Sequence, residues 1–527
     1  MLLPAFKNEA FLNFSEADVR TKMISTIENL SRQLGKTYEL FSGREVAQAQ
    51  RPVIQSFNPA RPSQLIGSVE KASLEDAEKA VQDMARGAHD WARTPVAQRV
   101  ELLEKLADWM VERKYELSAL MVLEVGKTWR EADADTAEAI DFCRYYAREM
   151  NRLSEPRLTQ VVAGEKDTLA YFPRGVCLVI APWNFPLAIL TGMAVAGLVS
   201  GNTVIIKPAE QSPIIGAKLA QGLREVGFPS SSFSFLPGVG EEIGPKLVSH
   251  PLVDMIVFTG SADVGLSIIE TAAKKPAPGQ KGVKKVIAEM GGKNALIVDE
   301  DADLDEALQG AIHSAFGFQG QKCSALSRLL VHEKVYDAFV KRFAEAAANL
   351  KIGDPTDPAF QMGPVVDQEA QTRIKKTIEE AKSRLKVLFS ASQIPAEGCY
   401  VPPSIFEVTD EKDSIFQREI FGPVVAVKKI SSVEEGVKLV NSVPYALTGG
   451  IYSRSPSKID YCRREMEVGN MYINRAITGA IVERHPFGGF KLSGIGSKAG
   501  GPDYLIQFME PRTVAENTVR RGFAADS

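Results

Sequence analysis

The chain has 527 residues, 45% hydrophobic and 24% charged, with 62 Lys and Arg against 66 Asp and Glu for a net charge of −4. That length accommodates two or three domains, and the near balance of charge excludes the broad positive field of a nucleic-acid or anionic-membrane binder. Five widely spaced cysteines without a C-x-x-C pair, and only five histidines, argue for a reducing compartment and against a disulfide framework or a metal site.

The N-terminal MLLPAFKNEAFLNFSEADVR carries acidic residues and no charged region followed by a long apolar run. It therefore reads as neither secretory leader nor transit peptide, and a cytoplasmic protein is expected. Residues 16–40 form a polar, helix-patterned arm, and ELFSGREV and RPVIQSFNPA read as short extended pieces around Gly43 and Pro52. Across 74–150, apolar residues such as Val100, Leu103, Leu106, Ala107 and Met110 recur at helical spacing, and Ser73 and Thr94-Pro95 supply helix starts. Three or four helices are predicted there.

The texture then changes: VCLVIAP, NTVIIKP, SFSFLPG, MIVFTGS, KKVIAEM and NALIVD are short apolar runs, most of them stopped by Gly, Pro or Asn and followed by helix-like stretches. The apolar segment 176–199 is interrupted by Pro182, Trp183, Asn184 and Pro186, too broken to span a membrane. The alternation resumes after Cys323 with RLLVHEK, PVVAVKKI, TGGIYS and GNMYIN, and helices are predicted at 336–350 and 367–381. An α/β fold with two parallel-sheet units in tandem follows, the second starting near Glu289 to Gly292. PRTVAENTV reads as an edge strand or tail.

Four stretches carry chemistry. In FTGSADVG a strand-like run enters a glycine turn at a helix start, so Gly260, Ser261 and Gly265 are placed to hold a phosphate or merely to turn the chain. NTVIIKPAE ends a strand with Lys207 and then Glu210, a cation and a carboxylate suited to ribose hydroxyls and hostile to a 2′-phosphate, or simply solvated charges. Cys323 in FGFQGQKCSALSR is either a loop nucleophile or a structural thiol, and Glu289 in VIAEMGGKN either a base toward water or a surface carboxylate. In APWNFP, the Asn184 amide can serve a developing oxyanion or cap its own turn, with Trp183 and Phe185 as walls.

Together APWNFP, GNTVIIKPAE, FTGS, EMGGKN, GQKCSA, EIFGPVVAV and PFGGFKLSG, in this order between residues 58 and 493, resemble motifs of the NAD(P)-dependent aldehyde dehydrogenase superfamily. GFQGQKCSA, NRAITGAIVERHPFGGFKLSG and GPDYLIQFMEPRTVAE extend the resemblance to its bacterial L-glutamate γ-semialdehyde dehydrogenases. The resemblance implies Cys323 as nucleophile, Asn184 with the Cys323 N–H as oxyanion donors, and Glu289 as the base that hydrolyses a thioester. It implies NAD rather than NADP, held by Trp183, Lys207, Glu210, Gly260, Ser261, Gly265, Glu419 and Phe421. It implies a substrate carboxylate at Ser324, Gly479 and Ala480, and an aliphatic chain between Phe185 and Phe487.

The same resemblance implies an arm (1–48), a dinucleotide-binding domain (49–158 and 173–288), a catalytic domain (289–490) and a β flap with the tail (159–172 and 491–527). The TLAYF strand edge would be covered in a homodimer or higher homo-oligomer, and functional coupling to a proline dehydrogenase is expected. Glu483, Arg484 and His485 replace the small or amide residues expected after TGAIV, charges able to shift substrate preference or subunit contacts. Competing readings are another semialdehyde (succinic or aminoadipic), transfer of the thioester to coenzyme A, which the presence of Glu289 disfavours, and a non-catalytic protein on the same fold.

Overall fold

The computed structural model describes residues 3–42 and 51–519; the GREV part of the predicted extended piece and the end of the tail lie outside them. The arm forms the helix Ala17–Ser31, shorter than its polar helical pattern, followed by the strands Lys36–Tyr38 and Phe41–Ser42. Four helices then run Leu74–Arg93, Val96–Glu112, Lys114–Val125 and Trp129–Leu153. Ser73 opens the first with a capping box, its Oγ accepting the Asp76 N–H while the Asp76 carboxylate accepts the Ser73 N–H. Pro95 stands at the start of the second, and Gly126, at φ 70°, ends the third in the left-handed region that glycine occupies without strain.

Two seven-stranded sheets carry the rest. The first runs in the order Phe41–Ser42, Phe233–Phe235, Thr203–Lys207, Val176–Ile180, Met255–Thr259, Lys285–Glu289, Gly494–Ile495. Its five inner strands are parallel and its two outer strands antiparallel to their neighbours. The second runs Lys386–Ser390, Ser404–Glu407, Val424–Ile430, Leu326–His332, Asn294–Val298, Thr448–Tyr452, Asn470–Ile473, parallel except at its first pair. Thr203–Lys207 and Asn294–Val298 are buried along their whole length. Both faces of a parallel sheet are covered by helices, which is why these strands read as continuous apolar runs rather than alternating ones. The chain passes from one sheet to the other between Glu289 and Asn294, across Gly291-Gly292.

Two strands of the second sheet, Lys386–Ser390 and Ser404–Glu407, were not foreseen. The first is the half-exposed sheet edge, and its apolar residues are set among polar ones. The segment after 490 also divides. Gly494–Ile495 returns to the first sheet, and only Met509–Asn517 joins Glu165–Pro173 and Arg157–Leu158 in an antiparallel three-stranded flap. Among the described residues no helix is long and apolar enough to cross a membrane.

Candidate active site

The two sheets meet end to end over the residues singled out in the sequence. The C-terminal ends of four parallel strands of the first sheet lead into the Asn184 turn, Lys207 with Glu210, Thr259-Gly260-Ser261, and Glu289. Facing them, the second sheet presents the opposite ends of its strands. Cys323 and Ser324 precede Leu326–His332, Glu419 and Phe421 precede Val424–Ile430, and Gly292 and Lys293 precede Asn294–Val298.

The Cys323 loop is fastened at nearly every residue. It begins in the tight turn Gly317–Gly320, where Phe318 and Gln319 take positive φ. The buried Gln319 side chain accepts from the Gly363 N–H at 3.1 Å and donates to Pro364 O at 2.6 Å, and Gln321 accepts from the Val366 N–H at 3.0 Å. Asn294 Nδ2 donates to Cys323 O at 2.7 Å and Ala325 O at 2.9 Å, while its Oδ1 accepts from the Thr448 N–H. Lys322 pairs with Glu131 at 2.8 Å. Asn184, buried, donates through Nδ2 to Gln321 O at 3.1 Å, two residues before the thiol.

The electrostatics are those of a dry, acidic centre. Desolvation, then the Glu419 and Glu289 carboxylates, push the Cys323 thiol well above its ordinary value, partly offset by the Ser324 N–H. Burial lifts Glu289 to about 8 against the Gly489 N–H and the Lys498 ammonium, and its Oε2 has no hydrogen-bond partner. Burial likewise raises Glu419 to about 7, although it accepts the Gly292 N–H at 2.8 Å and faces the Lys293 ammonium. Two carboxyl groups that ionise near neutrality beside one thiol form a proton-handling set. The remaining cysteines, Cys143, Cys177, Cys399 and Cys462, are buried and unpaired.

On one side of Cys323 lies a cavity of about 540 Å³ lined by Phe185, Glu289, Ser324, Gly479, Ala480 and Phe487 among others. Ser324 Oγ and Thr478 Oγ1 are 2.9 Å apart, which puts the loop bearing Gly479 and Ala480 next to Cys323. Gly479 has φ 79° and open space where a Cβ would stand. Glu483 and Arg484, flagged as departures, are exposed, whereas His485 lines the cavity and lies 3.1 Å from the Arg475 guanidinium. Several participants carried no signal of their own in the sequence reading. Glu138 lines the cavity with a carboxyl raised to about 8 by burial and by the neighbouring Asp135. Lys127, fully buried, pairs with Asp135 at 2.8 Å, and its Nζ sits 4.0 Å from the Phe185 ring centroid. The available clue was spacing: Glu131, Asp135 and Glu138 fall on one face of a helix that is otherwise mostly buried.

On the other side, the residues fit a dinucleotide. Lys207 Nζ meets Glu210 Oε1 at 2.9 Å, and the same oxygen accepts the Gly240 N–H at 2.7 Å, leaving Oε2 for ribose hydroxyls. Ser261 caps the helix Ala262–Ala272. A Cβ on Gly260 would stand 2.5 Å from the Phe258 ring, and one on Gly265 2.5 Å from Met290 Sδ, so a larger residue at either position would have to displace those side chains. Trp183 meets Phe421 edge to face at 5.5 Å.

A thiol-bearing loop of one sheet, set against a second sheet whose strand ends and helix starts would suit a dinucleotide, matches the plan of a thiol-dependent dehydrogenase. The chain belongs to the aldehyde dehydrogenase family, whose model matches residues 46–514. It is 44% identical over 515 residues to the 1-pyrroline-5-carboxylate dehydrogenase of Geobacillus thermodenitrificans, covering 98% of this chain and 100% of that one. It is 44% identical to 1-pyrroline-5-carboxylate dehydrogenase 2 of Bacillus subtilis, covering 97% and 99%. Among solved structures it superposes on a Thermus 1-pyrroline-5-carboxylate dehydrogenase with bound NAD at a TM-score of 0.95, with 43% identity over 98% of this chain and 100% of that one. Proline utilization A from Bdellovibrio bacteriovorus gives 0.96 with 49% identity over 99% of this chain, which spans 54% of that longer protein.

Proposed function

We propose that the protein oxidises L-glutamate γ-semialdehyde, the open form of 1-pyrroline-5-carboxylate, to L-glutamate with NAD, a step of proline degradation. The observation that carries this reading is the convergence of Cys323, Glu289 and the Ser324–Thr478 contact on one cavity. It joins a nucleophile, a base and a carboxylate-sized glycine loop. The full-length relatives named for this activity support it.

In this reading Cys323 attacks the aldehyde carbon as the thiolate, its proton having passed to solvent. Asn184 Nδ2 and the Cys323 N–H hold the oxyanion of the thiohemiacetal, donors fixed in a low-dielectric site where they act most strongly. Bound NAD supplies the acceptor for the hydride that leaves this adduct. Lys207 and Glu210 hold its adenosine ribose, Ser261 its pyrophosphate, Glu419 its second ribose, and Trp183 and Phe421 its ring. A thioester remains on Cys323; Glu289 removes a proton from water, hydroxide adds to the acyl carbon, and the acid leaves as the thiol reforms. Gly479 and Ala480 N–H groups with Ser324 hold the α-carboxylate, and Phe185 and Phe487 flank the chain.

The division into arm, dinucleotide-binding domain, catalytic domain and flap belongs to the same proposal. So does a homodimer or higher homo-oligomer in the cytoplasm, although not through the TLAYF edge expected from the sequence: Glu165–Pro173 is the central strand of the flap, flanked by Met509–Asn517 and Arg157–Leu158, and the exposed edge that a second subunit would cover is Met509–Asn517. Relatives named for proline utilization support coupling to a proline dehydrogenase. The test is steady-state NADH formation with pyrroline-5-carboxylate, succinic semialdehyde and propanal. A kcat/KM preference for the first is expected; a preference for succinic semialdehyde overturns the substrate assignment.

A further inference from the structure

The cavity beside Cys323 is not closed by the two sheets alone. Phe11, Leu12, Asn13, Phe14 and Ser15, more than 300 residues before the nucleophile, line it as well. The segment is sewn down by its own polar groups. The Leu12 N–H donates to Asp133 at 2.7 Å, the Glu9 N–H to Asp141 at 2.7 Å, and Phe14 packs edge-on against Trp129 at 5.4 Å. Glu9 also pairs with Lys114 at 3.3 Å and Arg144 at 3.1 Å. Asn8 makes the consequential contact: its Nδ2 donates both to Asp141 at 2.9 Å and to Val482 O at 3.0 Å. Val482 ends the loop whose Gly479 and Ala480 line the cavity, and it is buried at 4% exposure. One amide thus ties the outer wall, the helix Trp129–Leu153 and the glycine loop together.

We propose that the segment 8–15 is a substrate-selectivity element, with Asn8 a positioning residue that fixes the loop bearing Gly479 and Ala480 and Phe11 to Phe14 forming the outer wall of the aldehyde site. The loop is fastened at one end by Thr478 against Ser324 and at the other by the Glu483 N–H, which donates to Gly500 O, and Asn8 adds a restraint at Val482 on the cavity's side. An aldehyde bearing a carboxylate needs the loop N–H groups held in one geometry, whereas a short unsubstituted aldehyde does not, so the segment discriminates between them. This rests on the substrate reading above.

The experiment compares wild type, Asn8→Ala and Phe11→Ala with pyrroline-5-carboxylate and propanal, alongside hydrogen–deuterium exchange across 478–482. Phe11 is 59% exposed, so its truncation leaves the fold intact. The expected result is a ratio of kcat/KM, semialdehyde over propanal, about tenfold lower in Asn8→Ala through a raised semialdehyde KM, the loss of one hydrogen bond's discrimination. Phe11→Ala lowers the ratio less, and exchange at 478–482 quickens in Asn8→Ala. An unchanged ratio in both variants of an enzyme whose wild type prefers the semialdehyde overturns the proposal. A wild type without that preference overturns the substrate reading instead; faster exchange in Asn8→Ala then still supports the restraint on the loop, and unchanged exchange overturns that too.

Discussion

The two sheets place most of their site residues at opposite ends of their strands, the loop after Asn470–Ile473 excepted. In the first, the site residues follow the strands Val176–Ile180, Thr203–Lys207 and Met255–Thr259 and end Lys285–Glu289, the carboxyl-end placement expected of ligand sites on open parallel sheets. In the second, Cys323, Glu419 and Gly292-Lys293 all precede their strands. The comparison teaches a division of labour. The first sheet offers strand ends and helix starts, which suit a dinucleotide, and also places Asn184 and Glu289. The second holds the Cys323 thiol on a loop that gains its geometry from hydrogen bonds rather than from the sheet. If this is right, damage to the second sheet's loops stops chemistry, and damage at most of the first sheet's ends weakens the cofactor.

The sharpest break is Cys323→Ala. Turnover is expected to vanish while NAD binding, followed by quenching of intrinsic tryptophan fluorescence, stays within a few-fold of wild type; lost binding would mean the two ends are not separable. Next in size is Glu289→Gln, the one first-sheet residue assigned to the thioester. Steady-state turnover should fall by ~10²–10⁴, and rapid mixing should show a first equivalent of NADH before the stall. As a base toward water Glu289 would act in its ionised form, and burial raises it to about 8. The hydrolytic rate therefore rises with pH through that region and levels above it. Because the Lys498 ammonium opposes the upward shift, Lys498→Met moves the midpoint higher.

A smaller effect tests whether the Cys323 loop depends on its clamps. Asn294 donates to two carbonyls of that loop and accepts the Thr448 N–H. Asn294→Ala leaves those buried groups unpaired, at about 1–3 kcal/mol of stability. Urea unfolding should show that loss together with slower thiol alkylation or turnover, and unchanged NAD affinity. A stability loss without a change at the thiol would remove the loop from this account.

What the sequence made legible follows the same division. Strands such as VCLVIAP, NTVIIKP and MIVFTGS stand out because a fully buried parallel strand is a continuous apolar run cut by Gly, Pro or Asn, and the residues at their ends come with them. Even so, Lys207, Glu210, Asn184 and Glu289 near the strand ends, like Cys323 in its loop, kept a structural reading beside the chemical one until the family resemblance chose between them, and Glu419 and Gly479 came only with that resemblance. Asn294 stood within the quoted EMGGKN without being singled out, because its role is a pair of bonds to residues 29 and 31 positions away. Lys386–Ser390 and the return of Gly494–Ile495 to the first sheet were missed for a different reason. Short edge strands bury too little to leave a pattern.

The smallest expected effect sharpens the first sheet's half of the comparison. Glu210 holds Lys207 and the Gly240 N–H through one oxygen, so Glu210→Gln keeps an acceptor for both while removing the charge that repels a 2′-phosphate. The kcat/KM for NADP should rise about tenfold and that for NAD fall a few-fold, in line with roughly 1.4 kcal/mol per factor of ten. Because Glu210 belongs to the strand-end side and Cys323 to the loop side, the KM for the aldehyde should not move. A shift in aldehyde KM alongside the cofactor change would show that strain passes between the sheets, and that their separation of tasks is geometric but not energetic.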